Sequence, residues 1–354
     1  MKPVKPATPG KPGRLEPARH PVGRGRPRPQ RGFGIVEVMV GLVLGLMVVG
    51  AASLLFLGTR QASRATDNLS RMQESQRTSF DLMARELREA GGTPCDAQIG
   101  VANLLANAQG AAPVWWASWA EPIRGFDGAA VFDGAAIGTG VAERVAGTDA
   151  VLVRFAADLG GLTVTAHNPA TAILSVGRSA HGLRSGDLLL VCNYRQGSLF
   201  QASSAADGNP DIGHAAGVGS PGNCAAGLGL PALCSGAGTT YSYAAGARMG
   251  RWVASGWYIG NNGRPDTGGH SLYRVTRNGP EEVAEGVRDM RIGYLVADTT
   301  DYVTAAAVAD WSRVTAARVD LSFEATEIGG TTTATASRAS RRVGYTAALR
   351  NLMP

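Results

Sequence analysis

Residues 33–57 read FGIVEVMVGLVLGLMVVGAASLLFL, an apolar run of 25 residues broken by a single charge, Glu37. At ~1.5 Å per residue a helix over this run spans roughly 37 Å, enough to cross a bilayer with some tilt. The flanks are unequal. Residues 1–32 carry nine basic side chains (Lys2, Lys5, Lys11, Arg14, Arg19, Arg24, Arg26, Arg28, Arg31) against one acid, Glu16. An excess of lysine and arginine holds its side of a span in the cytoplasm, so the sequence places everything beyond Leu57 on the far side. The run is longer than a secretory core of ~7–15 residues and no small-residue cleavage site follows it, so it reads as a retained anchor. A carboxylate four residues into such a run is costly and asks for a partner.

The same leader explains the net charge of +6. Of 34 basic and 28 acidic residues, nine and one lie in 1–32, which leaves 25 against 27 in the rest of the chain. The basicity therefore belongs to the tail, and nothing downstream points to a nucleic-acid surface. All three lysines also lie in the tail. Arg24-Gly25-Arg26-Pro27 could sit in a minor groove, but a basic leader before a span accounts for the same residues.

The order Arg31-Gly32-Phe33-Gly34-Ile35-Val36-Glu37 resembles the processing motif of type IV prepilins. The resemblance implies that a prepilin peptidase cuts between Gly32 and Phe33, that Phe33 becomes an N-methylated N-terminus, and that Glu37 is the glutamate retained in the membrane helix for assembly. The chemistry is coherent, because the new α-amino group has an unperturbed pKa near ~7.7–8.0 and can neutralise a neighbouring subunit's Glu37 in an apolar surround. The leader is long for this family. Gly41 and Gly45 form a G-x-x-x-G pair that permits close helix contact.

Residues 59–90 contain neither proline nor glycine, and Leu69, Met72, Phe80, Met83, Leu87 and Ala90 recur at mostly three- and four-residue steps. This predicts an amphipathic continuation of the membrane helix, stopped by Gly91-Gly92-Thr93-Pro94. Beyond residue 95, short β-like runs take over: 151–155, 162–166, 173–176, 187–192, 252–259, 271–276, 290–296, 317–325 and 342–349. Few helical patterns separate them, so antiparallel sheet is expected. The fold class expected is α+β, a long N-terminal helix with a transmembrane half and an amphipathic half packed on an antiparallel β-sheet-rich globular body. Its parts are a cleaved leader over 1–32, the helix over 33–90, and a periplasmic β-rich domain over 91–354.

Cys95, Cys192, Cys224 and Cys234 show no zinc spacing, and in an exported chain they read as disulfides. The Gly/Ala/Ser-rich stretch 203–240 reads as a long surface loop closed by Cys224–Cys234, with Cys95–Cys192 following by elimination. Four cysteines allow three pairings, and the sequence does not choose among them.

Glu282-Val283-Ala284-Glu285-Gly286-Val287-Arg288-Asp289-Met290-Arg291-Ile292-Gly293-Tyr294, then Trp311-Ser312-Arg313-Val314, Arg318-Val319-Asp320-Leu321 and the terminal Leu349-Arg350-Asn351 are similar to the late region of PilW-type minor pilins. Gly186-Asp187-Leu188-Leu189-Leu190 and Leu199-Phe200-Gln201 are similar to that family too, while 96–150 and 203–240 stand outside the likeness. The resemblance implies a non-enzymatic subunit, without cofactor or metal, that helps to initiate or cap a pilus. Its implied partners are other minor pilins, the major pilin, the inner-membrane assembly machinery and the prepilin peptidase. It implies an inner-membrane location before assembly and a pilus or cell-surface one afterwards. A minor pseudopilin of a type II secretion system shares the N-terminal motif and is the first alternative; a membrane-tethered periplasmic enzyme or binding module is the second.

Three other patterns carry less. Gly217-Val218-Gly219-Ser220-Pro221-Gly222 matches G-x-G-x-x-G without the strand–turn–helix a dinucleotide needs. Gly177-Arg178-Ser179-Ala180-His181 lacks the last glycine of a hydrolase elbow. Asp207, Asn209 and Asp211 alternate as calcium ligands do, without the glutamate at the twelfth position. Trp115, Trp116 and Trp119 read as core or subunit interface.

Overall fold

The computed structural model describes Gly32 and residues 34–95, 99–109, 114–265, 268–324 and 340–352. The expected leader and Phe33 lie outside the described residues, Gly32 apart. The chain divides into two units, one ending at Arg60 and one beginning at Gln61. Helix α1 (Ile35–Glu89, 55 residues) contributes to both.

In the second unit, α1 buries Met72, Gln76, Ser79, Met83, Leu87 and the adjoining Ala90, with Phe80 half-buried beside them. The three- and four-residue spacing puts these on one face. Two of them are polar and were invisible to a search for apolar periodicity; Ser79 is self-satisfied, its hydroxyl donating to the Ser75 carbonyl at 2.6 Å. Leu69, expected on this face, is exposed instead. The helix ends where Gly91 takes a φ of 72°, a left-handed conformation that a side chain resists. A Cβ at Gly91 would also lie 2.9 Å from Leu352 Cδ2. The Glu89 carbonyl, which accepts from Gly92 N–H at 2.8 Å, and the Ala90 carbonyl each accept from the side-chain amide of Asn351 at 3.3 Å, so the C-terminal 3-10 turn caps the helix.

The body is α+β, with two sheets. The larger contains ten strands: β1 (Gly100–Asn103), β2 (Ile123–Phe126), β3 (Ala150–Asn168), β4 (Ile173–Val176), β5 (Leu188–Cys192), β6 (Gln196–Gln201), β7 (Asp211–Gly213), β8 (Arg248–Asn261), β9 (His270–Thr276) and β10 (Gly279–Glu285). Its spine runs β1-β6-β5-β8-β3-β4-β7 and is antiparallel except at β1–β6. The smaller sheet runs β12-β11-β13-β14, from β11 (Val287–Val296), β12 (Tyr302–Val303), β13 (Val314–Glu324) and β14 (Ser340–Ala348), all antiparallel. The runs expected at 151–155 and 162–166 are one strand, β3. Gly160 and Gly161, at φ 65° and 69°, absorb a bulge so that β3 pairs with β8 before it and mainly with β4 after it.

The main core lies among the buried face of α1, Val151, Val153, Trp257 and Ile259 of the large sheet, and Met290, Ile292, Val319 and Leu321 of the small one. Burying side chains such as Met83 and Leu87 completely is worth about 1.5–3 kcal/mol each. One charge enters this interface. The Glu86 carboxylate accepts from Ser255 Oγ at 2.5 Å and Trp257 Nε1 at 2.7 Å, and lies 2.6 Å from Arg274 Nη2. Ser255 and Trp257 are two apart on β8 and so share a face; Arg274 on β9 is the register partner of Trp257.

The stretch 203–240 departs from the expected surface loop. It contains β7, and residues 222–229 run largely buried. The backbone can go inside because side chains meet its polar groups. Asn223 accepts from Gln201 N–H at 2.7 Å and donates to Gln201 O at 2.8 Å, while the Leu228 carbonyl accepts from Gln196 Nε2 at 2.7 Å and Ser198 Oγ at 2.6 Å. Residues 230–237 are mostly exposed. Cys224 joins Cys234, and Cys95 joins Cys192, with Cα–Cα distances of 5.0 and 6.1 Å. The second bridge ties the exit of α1 to β5.

Two outcomes are expected. Glu86→Ala leaves the Ser255 hydroxyl and the Trp257 indole N–H without their acceptor and Arg274 with only the looser Glu281 pair at 3.8 Å, and should lower unfolding stability by about 3 kcal/mol in denaturant titration; a loss within ~0.5 kcal/mol would show that the carboxylate is dispensable. In the chain-entropy account, opening Cys95–Cys192, at a sequence separation of 97, should cost about 4.7 kcal/mol and opening Cys224–Cys234, at a separation of 10, under about 3. Peptide mapping without reductant should return both pairs, and a crossed pair would overturn the connectivity.

Candidate functional site

The first unit contains one feature that its own subunit leaves unsatisfied. The Gly34 carbonyl accepts from the backbone N–H groups of Glu37 and Val38 at 2.9 and 3.2 Å, which starts α1. From there to Leu57 the apolar side chains are exposed, Ile35 at 80% and Leu55 at 74%. Nothing lies within 4 Å of a Cβ built on Gly41 or Gly45. The two hydroxyls beside or within this stretch are satisfied locally, Ser53 Oγ donating to Val49 O at 2.8 Å and Thr59 Oγ1 to Leu55 O at 2.6 Å. In lipid, where no water can serve them, polar groups must be satisfied this way. The helix is long and apolar enough to cross a bilayer. Beyond the apolar run, Arg60 places its guanidinium 4.7 Å from the Phe56 ring centroid, an aromatic–cation pair of the kind found where a helix leaves the hydrocarbon.

Glu37 stands in the first turn of α1, where the helix dipole favours an anion. It is exposed, and among the described residues nothing pairs with its carboxylate. Gly32 is exposed too and has nothing within 4 Å of a Cβ built on it. The arrangement is a lipid-compatible helix with one acid near its tip and, among the described residues, no partner for it.

In the body, the other sequence-flagged groups are engaged. His181 accepts from Leu183 N–H at Nδ1 (3.0 Å) and sits 2.9 Å from the Asn209 carbonyl through Nε2, so its proton lies on Nε2 and neither nitrogen faces Ser179 as a base. Asp207 accepts from Gly182 N–H at 2.9 Å, Asp211 from Ser175 Oγ at 2.5 Å, and Asn209 from Asp211 N–H at 3.0 Å, so these oxygens shape a turn. Among the described residues no three His, Cys, Asp or Glu side chains converge as metal ligands. Gly217, Gly219 and Gly222 all adopt positive φ in a loop that opens no helix. Trp119 stacks tilted on Trp252 at 5.2 Å, and Trp115 meets Phe132 edge-on at 5.6 Å, so these tryptophans pack within the subunit.

Several groups gave no sequence signal. The fully buried Arg144 donates to the carbonyls of Ala130 (2.8 Å) and Asp127 (2.9 Å) and to Thr148, and burial lowers its pKa. Arg154 donates to the Trp115 carbonyl (2.7 Å) and to that of Glu121; burial pushes its pKa down to about 10. Both knit loops to the sheet through carbonyls alone. Desolvation raises the Asp149 carboxyl above the usual carboxylate range, although it accepts from Ile292 N–H at 2.9 Å. His167 and His214, distant in sequence, face each other with their Nε2 atoms 3.0 Å apart.

Residues 27–53 match the family model described as the prokaryotic N-terminal methylation motif. No curated protein and no solved structure matches the chain. The matched stretch ends within the apolar half of α1. It supports a type IV pilin-like or pseudopilin chain processed by a prepilin peptidase, and together with the apolar helix it fits an inner-membrane anchor.

Because every lysine lies at or before Lys11, removal of the leader leaves the N-terminus as the sole primary amine of the chain. Mass spectrometry of membrane-extracted protein should find a chain beginning at Phe33, with or without one methyl group, and amine-reactive label only there. An intact leader in cells with an active prepilin peptidase would overturn the cleavage.

Proposed function

We propose that the chain is a PilW-like minor pilin, a structural subunit without catalysis that helps to initiate or cap a type IV pilus. The observation that carries the filament-subunit reading is Glu37, an acid near the tip of a bare apolar helix and unpaired among the described residues; the PilW type rests on the segments below. Burial of that helix among others in a filament would cover the apolar surface. The α-amino group that cleavage creates on a neighbour would supply the cation. The carboxylate–amine pair would then act mainly on register, since breaking a buried pair costs ~3–5 kcal/mol even where its net stabilisation is small.

The segments similar to PilW-type minor pilins fall largely on strands that frame the body. Glu282–Tyr294 runs through β10 and β11, Arg318–Leu321 lies in β13, and Leu188–Leu190 and Leu199–Gln201 lie in β5 and β6. Asn351 of the terminal match caps α1. On this reading the N-terminus is cytoplasmic and the body periplasmic before assembly, and the subunit reaches the cell surface in the pilus. Other minor pilins, the major pilin and the inner-membrane assembly machinery are its partners.

Glu37→Ala separates assembly from processing. Removing an acid from a membrane helix should leave insertion at least as good as in wild type. Cleavage should be near normal, because the carboxylate lies beyond the scissile bond. Incorporation should fall by orders of magnitude, because docking leaves the partner cation unpaired at a cost of several kcal/mol. A bulky residue at Gly32 should instead leave uncut, unassembled precursor. Immunoblots of sheared pili against membranes read both effects. Normal incorporation of Glu37→Ala, repeated with the substitution in the subunit beneath, would exclude the carboxylate–amine account.

A further inference from the structure

The groups that face the His167–His214 contact decide where its protons lie. His167 Nδ1 accepts from the Tyr243 backbone N–H at 3.0 Å, so that nitrogen carries no proton and the ring's proton is on Nε2. His167 Nε2–H therefore donates across the 3.0 Å gap to His214 Nε2. His214 in turn keeps its proton on Nδ1 and donates to the Ala226 carbonyl at 3.0 Å. The four groups form one directional chain, Tyr243 to His167 to His214 to Ala226, consistent only when both rings are neutral.

This chain joins three parts of the body. His167 lies in β3 opposite Leu174 of β4, and His214 follows directly on β7. Ala226 and Tyr243 belong to the segment that leaves β7 and returns to β8, the segment closed by Cys224–Cys234. Leu228 of this segment shares a buried cluster with Leu174, Phe200 and Ile212, a core separate from the one that α1 covers.

We propose that the His167–His214 pair is a proton-operated latch, which holds the 214–243 segment on the end of β3 when neutral and releases it when a further proton is added. Two ring nitrogens could take that proton, His214 Nε2 and His167 Nδ1, and each breaks a link. At His214 Nε2 it confronts the His167 N–H at 3.0 Å with a second N–H. At His167 Nδ1 it displaces the Tyr243 N–H. Moving the existing protons along the chain only relocates the conflict. Phe200 faces His214 edge-on from β6, and Tyr243, with Tyr241 beside it, faces His167 from the returning segment. Among the described residues no carboxylate or guanidinium acts on either ring to offset the charge. Burial lowers both imidazoles, His214 to about 4 with the neighbouring ring adding to the effect. Release uncovers Leu174, Phe200 and Ile212, so acid exposes apolar surface that the neutral pair keeps covered.

The sign follows from linkage. An imidazole held at about 4 in the closed state and near 6.5 once open takes up its proton on opening throughout that window, so opening is favoured as pH falls from 6.5 towards 4. Amide exchange read by mass spectrometry on the full chain in detergent tests this. From about pH 7 to about pH 4.5, exchange of the 214–243 amides, normalised to the paired amides of β3 and β8, should accelerate on the order of 50-fold. His214→Gln keeps a hydrogen-bonding amide but takes no proton, and should reduce that acceleration to a few-fold or less. An unchanged normalised rate in wild type, or full acceleration retained in His214→Gln, would overturn the latch. The wild-type comparison needs no substitution, so a variant that fails to fold leaves it decisive.

Discussion

Helix α1 carries two glutamates in apolar settings, and the difference between them organises the molecule. Glu86 is met by Ser255, Trp257 and Arg274, three donors presented by adjacent strands at one register. A carboxylate removed from water is tolerated only with such company, and losing one partner costs more than the pair is worth. The clamp therefore fixes the rotation of the second half of α1 against β8 and β9, and with it the face that Met83 and Leu87 bury. Glu37 has no such company within the described residues. The same physics that makes Glu86 a fastening inside the subunit makes Glu37, on the proposed reading, a fastening to a neighbouring subunit.

The helix, the α+β class and most strands were legible in the sequence because they rest on local patterns: an uninterrupted apolar run, a 3.6-residue stripe, and alternating runs bounded by glycine. The failures are equally physical. β3 reads as two strands because Gly160 and Gly161 look like punctuation, whereas a bulge lets one strand continue through them. β1, β2, β6 and β7 are short or polar, and their strand character comes from neighbours in the sheet. Residues 222–229 look like a surface loop because they are mostly glycine and alanine and show no strand or helix period. They are covered because Asn223, Gln196 and Ser198, the last two on β6, supply the hydrogen bonds that allow burial, and such long-range satisfaction leaves no periodic trace.

The candidate site divides the same way. Glu37 was legible as a lone acid in an apolar run, since its meaning lies in what surrounds it along the chain. The His167–His214 contact was not, since its meaning lies in a meeting of β3 with the residue after β7. Arg144 and Arg154 belong with it. An arginine in sequence reads as surface, and only the fold shows guanidinium groups enclosed by carbonyls, each organising the loop that covers it.

Covalent and topological constraints also converge. Cys95 lies just beyond the helix stop and Cys192 at the end of β5, so their bridge anchors the chain where the helix hands over to the sheet. The backbone repeats that anchorage without sulfur: Gly91 N–H donates to Arg154 O at 2.9 Å and Ala156 N–H to Gly92 O at 2.8 Å, stitching the exit of α1 onto β3. With Asn351 capping the last carbonyls, the C-terminal end of α1 is held from three directions, while its N-terminal end is held from none within the described residues of the subunit. A disulfide persists only in an oxidising compartment, and the basic leader retains its own side of the span in the cytoplasm. These two demands are independent, and the proposed topology meets both. On the proposed reading, the rigid end of the helix belongs to the folded body outside the membrane, and the bare end belongs to the bilayer until other helices replace the lipid around it.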